Sequence, residues 1–226
     1  MNNEKVHENE IIVTADGSHT VHSNMFNCSF HSLNGAIQES RHIFIENGID
    51  YFVKKTGCHT ISVLEYGFGT GLNAILSYLY GIDHKISLIF DSIEAYPLDF
   101  NTIRKLNYAQ LLGIQDSLIL QFHENKINDQ ICESFKLNLH KQKFEDFLVD
   151  QQFDVIFFDA FGPDDQPTLW ERPFLDHLAK MTHSNSILLT YSVKGSFKRA
   201  LKSLGFSVEK LPGPPGKREI LRATKI

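Results

Sequence analysis

The segment ISVLEYGFGTGLNAILSYLY, residues 61–80, constrains the fold of this chain more than any other. An apolar run leads into the glycine-rich turn GFGTG, and an apolar helical pattern follows the turn. Gly67, Gly69 and Gly71 permit a tight turn and let the backbone approach a ligand closely, and the free N–H groups of the following helix point at the same place. The unit is typical of a cofactor site. The alternative is a turn that only packs a helix against a sheet.

The acid before this turn indicates which cofactor binds. Glu65 stands two residues before Gly67, where a carboxylate would repel the pyrophosphate of a dinucleotide. Leu72 also occupies the place where the dinucleotide pattern has glycine or alanine. S-adenosylmethionine has no phosphate, and Glu65 could attract its ammonium. We therefore expect S-adenosylmethionine at this turn, with its methionine end wrapped by Gly67, Phe68, Gly69, Thr70, Gly71 and Asn73.

Two further acids end predicted strands. Glu94 follows the second strand, 27 residues after Gly67, where a carboxylate can accept hydrogen bonds from both ribose hydroxyls. Asp159 ends the continuous apolar strand FDVIFFD. In an open α/β sheet the ligand lies beyond the carboxyl ends of the strands. Each acid alone is more often a surface group, but three at consecutive strand ends beside a glycine turn favour a binding site.

Strands and helices alternate from residue 61 onward, which predicts an α/β fold. The linker LPGPPGKR is too short for a crossover helix, so the last two strands are predicted to be antiparallel. We expect six parallel strands closed by one antiparallel strand, which is the Rossmann-like seven-stranded sheet of class I S-adenosylmethionine-dependent methyltransferases. Residues 1–50 are predicted to form a short N-terminal arm, with a hairpin around Asp16-Gly17 and a helix over 35–47, and residues 51–226 the methyltransferase domain. The predicted strands are 61–66, 86–93, 135–139, 153–158, 186–191, 206–210 and 219–224, and the predicted helices are 72–80, 98–111, 170–181 and 196–204.

Composition excludes several classes of protein. No run approaches the ~20 apolar residues of a membrane span, and the polar, acidic start MNNEKVHENE argues against a signal peptide. The three cysteines lack CxxC spacing, and the 11 histidines are scattered without an HExxH motif. We therefore expect a cytoplasmic protein with reduced thiols and no metal site.

Charge is distributed unevenly along the chain. The net charge is −5, but the segment from Lys194 to the end holds nine Lys or Arg and two acids, which gives +7 there and −12 elsewhere. This separation favours a basic patch on an acidic body, and the alternative is a solvated helix face. The candidates for contacts to nucleic-acid phosphates are Lys194, Lys198, Arg199, Lys217 and Arg218.

The segment DAFGPDDQPTLW, which Asp159 opens, favours methylation of an amine. A carboxylate there can accept hydrogen bonds from the amine and direct its lone pair at the methyl group. Phe161 and Trp170, with Pro163 stiffening the loop, would offer a face to a planar base. The alternative is a rigid strand–helix connection with Trp170 in the core.

Several motifs together resemble the methyltransferase domain of the bifunctional tRNA 5-methylaminomethyl-2-thiouridine biosynthesis enzymes and its stand-alone relatives. The resemblance covers nearly the whole chain, and it rests on TADGSHT, FHSLNGAIQESRHIFIENG, LEYGFGTGLNAIL, DAFGPDDQPTLW and GFSVEKLPGPPGKREIL. It implies methyl transfer from S-adenosylmethionine to 5-aminomethyl-2-thiouridine at the wobble position of tRNA. The bifunctional enzymes continue into a flavin domain that removes a carboxymethyl group. Because this chain ends at Ile226, we expect no flavin or oxidase activity in it. A separate oxidase partner could then act upstream of it.

The chain departs from the family at the end of the third strand. The family usually has an acid there that holds the adenine amino group, but LNLHKQKFEDFL places Gln142 and Lys143 at that point. Adenine would then be held by Gln142, by backbone, or by Glu145 or Asp146.

Two other functions remain open from the sequence. One is a methyl or aminopropyl transferase of the same fold that acts on a small-molecule amine, which would not need the basic C-terminal segment. The other is a non-catalytic cofactor-binding partner subunit. The intact GFGTG turn, Glu94 and Asp159 argue against the second, and the missing acid on the third strand argues for it.

Overall fold

A computed structural model describes residues 9–124 and 129–226 of the chain. The first eight residues, on which the signal-peptide argument rests, lie outside this part. The described strands form an eight-stranded sheet and a separate three-stranded sheet in the arm. The small sheet consists of β1 (Glu10–Val13), β2 (His19–Ser23) and β3 (Cys28–Ser29). The large sheet consists of β4 (Thr60–Tyr66), β5 (Ser87–Ile93), β6 (Asp129–Cys132), β7 (Phe135–His140), β8 (Phe153–Phe158), β9 (Thr182–Thr190), β10 (Phe206–Pro212) and β11 (Glu219–Lys225).

The large sheet has the order β10-β11-β9-β8-β4-β5-β7-β6. β4 pairs in parallel with β5 and β8, while β7 and β9 extend the parallel part on either side. β11 lies antiparallel between β9 and β10, so β10 runs in the same direction as β4. The predicted six strands in one direction, closed by one reversed strand, are therefore confirmed. The sequence did not predict β6, which adds an antiparallel edge strand beside β7.

Helices cover both faces of this sheet, and the central strands are buried on both sides. In β8 the side chains of Phe157 and Phe158 are fully buried in two different apolar clusters, one on each face. This explains why FDVIFF is a continuous apolar run. The helices are α1 (Ala36–Ser40), α2 (Tyr51–Thr56), α3 (Leu72–His84), α4 (Phe100–Ile103), α5 (Tyr108–Leu112), α6 (Asp116–Glu124), α7 (Arg172–Lys180) and α8 (Gly195–Ser203).

The arm joins the domain through one continuous helical stretch. Its hairpin forms as predicted, with β1 paired antiparallel to β2. Helical structure then runs from α1 through Arg41–Asp50, which has wider π-helical turns, into α2. The predicted boundary at residue 50 lies inside this stretch. Because Ile43, Phe44 and Ile49 are buried in the cluster that covers one face of the sheet, the arm and the sheet share a core.

The predicted helix over 98–111 is wrong, because the structure has α4 and α5 with a break between them. The break lies at Asn107, whose side chain serves the arm instead of a helix surface. Asn107 Oδ1 accepts the N–H of His19 at 2.9 Å, and Asn107 Nδ2 donates to the carbonyl of Gly17 at 2.8 Å. These tertiary hydrogen bonds compete with helical geometry.

Across the described residues, no helix is both long and apolar enough to cross a bilayer. The same residues contain no group of three or more His, Cys, Asp or Glu placed to hold a metal ion.

Candidate active site

The GFGTG turn lies where β4 passes into α3, and its geometry requires glycine. Gly67, Gly69 and Gly71 have φ of 98°, 52° and 74°, a region that disfavours other residues. A Cβ on Gly67 would lie 2.8 Å from the backbone oxygen of Asp159, and one on Gly69 would lie 2.7 Å from Cδ1 of Phe30. The turn therefore packs tightly against both the β8 strand end and the arm.

Glu94 holds this turn in place. Its Oε2 accepts the N–H of Gly69 at 2.9 Å, and its Oε1 accepts the N–H of Tyr96 at 2.8 Å. Burial raises the pKa of the Glu94 carboxyl, and hydrogen bonds from backbone N–H groups, that of Gly69 first, oppose the shift. Each carboxylate oxygen has a second lone pair. Glu94 can therefore support the turn and still accept a hydrogen bond from a ligand.

A cavity of about 340 Å³, the main cavity, lies beyond the carboxyl ends of β4, β5 and β8. Its size falls in the range of small-molecule sites. It brings together most of the predicted cofactor residues and two residues of the predicted substrate loop. The predicted residues that line it are Gly67, Phe68, Gly69, Thr70, Asn73, Glu94, Lys143, Asp159 and Phe161. Gly71 does not line it and instead packs closely on Phe68 and His123.

Glu65 lies behind the wall of the main cavity and does not line it. The residue is completely buried, and its Oε2 accepts the hydroxyl of Ser92 at 2.5 Å. Burial raises the pKa of Glu65 well above its usual range, against the hydrogen bond from Ser92. Glu65 Oε1 and Asn73 Oδ1 are both buried without a hydrogen-bond partner. Burial thus favours the neutral acid, which supplies a donor among these acceptors.

Asp159 is half-buried at the end of β8, where its N–H donates to the carbonyl of Tyr66 at 3.1 Å. Its Oδ2 accepts a hydrogen bond from Nδ2 of Asn73 at 2.9 Å. Burial, and then the nearby charge of Glu39, raise the pKa of Asp159 well above its usual range, while Asn73 and Lys217 oppose the shift. A carboxyl with a raised pKa is a stronger base than an exposed aspartate.

A second, smaller space of about 270 Å³, the side chamber, adjoins the main cavity at Asp159. Glu39, Tyr191 and Lys217 line it and do not line the main cavity. The ammonium of Lys217 pairs with Oε2 of Glu39 and lies 5.0 Å from the ring centroid of Tyr191. The residues that line both spaces are Phe30, His31, Asp159, Ala160, Phe161 and Asp165.

The arm supplies an aromatic wall to both spaces. The ring centroid of Phe161 lies 4.8 Å from that of Phe26 and 5.3 Å from that of Phe30. Tyr96 closes the cluster, 5.5 Å from Phe26. His31 lies beside these rings, and burial lowers its pKa to about 4, so it is neutral at pH 7. The motif FHSLNGAIQES was the available sequence signal for Phe30, His31 and Glu39, although no residue within it was predicted to have a role.

For Trp170, the structure corrects the predicted contact with substrate. The side chain is 5% exposed and packs against Phe158 and Phe197 in the core. Its Nε1–H donates to the carbonyl of Phe161 at 2.9 Å. Trp170 therefore fixes the backbone of the loop that carries Phe161. Pro163 also lies outside the lining of both spaces.

At the end of the third parallel strand, β7, the lining differs in part from the prediction. Lys143, Phe144 and Glu145 line the main cavity, whereas Gln142 and Asp146 do not. Gln142 instead donates its backbone N–H to the carbonyl of His140 at 3.0 Å. Of the side chains considered for adenine, those of Lys143 and Glu145 are therefore at the cavity.

The basic C-terminal residues divide into two groups. Lys198 and Arg199 lie on α8, Lys194 precedes it with its Nζ 3.3 Å from Oδ1 of Asp164, and Arg218 is exposed. Lys217 points inward to the side chamber, so the structure corrects its assignment as a surface phosphate contact. No local pattern distinguishes Lys217 from its basic neighbours.

Comparison with known proteins identifies the relatives of this chain. It is 27% identical over 231 residues to the tRNA 5-methylaminomethyl-2-thiouridine biosynthesis bifunctional protein of Leptospira interrogans, covering 88% of this chain and 33% of that protein. The protein of the same name from Idiomarina loihiensis is 26% identical over 217 residues, with 88% and 36% covered. These matches confirm the resemblance seen in the motifs. The chain spans about a third of the length of these curated relatives.

Solved structures support the fold. MNMC2 from Aquifex aeolicus superposes with a TM-score of 0.77 at 24% identity, over 98% of this chain and 72% of that chain. Streptomyces venezuelae DesVI gives a TM-score of 0.50 at 10% identity, over 84% and 92%.

A cofactor without phosphate fits the main cavity, where a buried carboxylate, Glu94, meets the glycine turn. Residues 110–226, more than half of the chain, match the model of a family described as S-adenosyl-L-methionine-dependent methyltransferase. The chain therefore belongs to this methyltransferase family, and its cofactor is S-adenosylmethionine.

Proposed function

We propose that this protein transfers a methyl group from S-adenosylmethionine to the amine of 5-aminomethyl-2-thiouridine at the wobble position of tRNA. One observation carries the proposal: Asp159 lines two adjoining spaces, one beside the glycine turn and one beside the arm. A methyl donor and an amine acceptor need such a shared boundary. The names of the relatives from Leptospira and Idiomarina point to the tRNA product.

On the cofactor side, the residues that line the main cavity bind S-adenosylmethionine and orient it. Glu94 would accept hydrogen bonds from ribose hydroxyls with the lone pairs that Gly69 and Tyr96 leave free. Glu65 supports the site from behind the wall, where it accepts the hydrogen bond from Ser92. Lys143 and Glu145 stand where adenine would lie. The bound cofactor supplies an electrophilic methyl group on a positively charged sulfur.

Asp159 would position the substrate amine and take its proton. An alkylammonium has a pKa near ~10.4, so the amine arrives charged and its lone pair must be released. Because the pKa of Asp159 is raised, it lies closer to the pKa of the substrate ammonium, and transfer of the proton to Asp159 is less unfavourable. Asp159 would then hold the freed nitrogen lone pair toward the methyl group that the bound cofactor would supply, and the positive charge would pass from the cofactor to the methylated amine. Alignment of these atoms is the main contribution of the site.

The aromatic wall suits a planar base beside the amine. Phe30 and Phe161 face both spaces, and aromatic rings stack on bases without regard to sequence. The tRNA phosphates would be contacted by the outer basic residues Lys194, Lys198, Arg199 and Arg218. A tRNA substrate also implies a cytoplasmic enzyme, and an oxidase partner that frees the aminomethyl group beforehand.

The test is methyl transfer to defined tRNA. The purified protein and S-adenosylmethionine are incubated with tRNA that carries 5-aminomethyl-2-thiouridine, and the nucleosides are analysed by mass spectrometry. We expect the wobble nucleoside to gain one methyl group, while control tRNA with an unmodified wobble uridine stays unchanged. Unchanged nucleosides, together with methylation of a polyamine or another small amine in a parallel reaction, would favour the small-molecule alternative.

A further inference from the structure

The side chamber contains a lysine that an amine-binding site does not need. Glu39, Asp159 and Asp165 are the acids among its described lining residues, and they suit a positively charged amine. Lys217 would repel the same amine. A half-buried ammonium in this place has either a purely structural role or an acceptor on the substrate.

The loop that carries Lys217 places its side chain at the side chamber. The loop between β10 and β11 closes with hydrogen bonds from the N–H of Gly213 to the carbonyl of Arg218, at 3.1 Å, and from the N–H of Lys217 to the carbonyl of Pro214, at 2.9 Å. A Cβ on Gly213 would lie 2.2 Å from the carbonyl oxygen of Lys217. A Cβ on Gly216 would lie 2.0 Å from Nδ2 of Asn34 in the arm. The loop and the arm thus approach each other at glycine, and Lys217 enters between them.

Lys217 can donate a hydrogen bond to a ligand, and Glu39 beside it can accept one. The ammonium has three N–H donors, and its bond with Glu39 uses one. Glu39 is itself fixed by a hydrogen bond from the N–H of Ser32 to its Oε1, at 3.1 Å. Both groups line the side chamber together with Asp159. The chamber therefore offers Asp159 as acceptor, Lys217 as donor and Glu39 as acceptor.

This set complements one edge of a uracil ring substituted at C5. Along that edge the 5-aminomethyl group donates, the C4 oxygen accepts, and the N3–H donates. We propose that Lys217 and Glu39 read the C4 oxygen and the N3–H of the target base while Asp159 holds its amine. The inference rests on the proposed function and deepens it, because it assigns base recognition to a pair of residues outside the cofactor site. A site for a free polyamine would gain nothing from such a pair.

The test measures binding of synthetic anticodon stem-loops in the presence of S-adenosylhomocysteine. Three wobble bases are compared: 5-aminomethyluracil, its N3-methyl derivative, and an analogue that lacks the C4 oxygen. For the wild-type protein we expect each altered base to weaken binding about tenfold to a hundredfold, the scale of one hydrogen bond to a charged group. Equal affinity for the three stem-loops, or no binding of any of them, would overturn the inference without the use of any variant.

Variants separate recognition from structure. In Lys217→Met the loss of the C4 oxygen should cost nothing further, because the two changes remove the same contact. The matched control is Lys210→Met, since Lys210 pairs with Glu219 at 2.7 Å on the protein surface and should keep full discrimination. An unchanged penalty for the missing oxygen in Lys217→Met, with a lowered melting temperature, would show that Lys217 only ties the loop to the arm.

The proposed function and this inference fail separately. If the wild-type protein discriminates the three bases but transfers no methyl group to the first, the proposed function fails and edge recognition stands. If it methylates all three stem-loops equally and binds them equally, methyl transfer stands and edge recognition fails.

Discussion

Replacing Asp159 with asparagine changes the charge at the junction of the two spaces while keeping the shape of the side chain. The asparagine oxygen can still accept the hydrogen bond from Nδ2 of Asn73, which measures 2.9 Å in the native protein. The Asp159→Asn variant should therefore fold as the wild type does. Because the folded protein raises the pKa of Asp159, the native aspartate adds stability only below its ordinary pKa of 3.8 and loses it as the pH rises through the raised value. At pH 8 and without ligand, Asp159→Asn should therefore be at least as stable as the wild type.

The rate of methyl transfer should fall by about 10²- to 10⁴-fold in Asp159→Asn, the usual contribution of a positioned acid or base. The introduced amide can accept a hydrogen bond from the substrate amine but cannot take its proton or pair with its charge. Affinity for S-adenosylmethionine should change little, because Glu94 and the glycine turn remain intact. Asp159→Ala should lose activity at least as severely, since it also removes the partner of Asn73.

Single-turnover assays on tRNA that carries the 5-aminomethyl group measure the rate, and calorimetry measures cofactor affinity. The wild-type rate should fall as the pH drops through the raised pKa of Asp159, and the Asp159→Asn rate should lack that decline. The matched control is Asp164→Asn, because Asp164 is highly exposed and lines neither space. A rate for Asp159→Asn within a fewfold of the wild type would refute the assignment and leave Asp159 as a structural strand end.

Three further predictions test other parts of the site. Glu94→Gln should weaken S-adenosylmethionine binding about tenfold or more, since hydrogen bonds to a charged group contribute ~1.5–3 kcal/mol each; calorimetry showing equal affinity would remove Glu94 from the ribose. Glu65→Gln should gain stability over the ligand-free wild type as the pH rises above 4.5, the ordinary pKa of glutamate, because Glu65 ionises in the unfolded wild type while the folded protein raises its pKa and keeps it neutral; parallel melting temperatures from pH 5 to 8 would contradict this. Reversing Lys198, Arg199 and Lys202 to Glu should weaken tRNA binding and flatten its salt dependence by roughly 0.7–0.9 in log–log slope per lost phosphate contact, with cofactor affinity unchanged; filter-binding titrations that show full tRNA affinity would leave α8 as a solvated surface.

The parts of the fold that were predictable are those specified by local sequence. The apolar run, the three glycines and the helical pattern of residues 61–80 lie within one stretch of chain, and β4, the turn and α3 follow it closely. The short linker after residue 212 likewise fixed the last two strands as antiparallel. In both cases the physical constraint acts between residues that are near in sequence, where steric and hydrogen-bonding rules are strong.

The parts that were not predictable depend on contacts between distant residues. The helix predicted over 98–111 breaks at Asn107 because that side chain bonds to Gly17 and His19, about 90 positions away. From the sequence, Lys217 was interpreted as one of several basic surface residues, but its side chain pairs with Glu39, which is 178 positions away in the chain. Trp170 read as a face for a base, yet the packing of Phe158 and Phe197 places it in the core. No local pattern carries such information.

The arm and the glycine turn are physically linked through Tyr108 and Phe30. The hydroxyl of Tyr108 lies 2.8 Å from the carbonyl oxygen of His19 in the arm and 3.2 Å from Oγ1 of Thr70 in the turn. With one proton, it donates to His19 and accepts from Thr70. Cδ1 of Phe30 also lies 2.7 Å from the place that a Cβ on Gly69 would take. A shift of the arm would therefore disturb the turn that we propose to wrap the cofactor, and a shift of the turn would disturb the aromatic wall of the side chamber. In the proposed reaction the methyl donor and the acceptor would thus share one boundary, which is what alignment of a direct transfer requires.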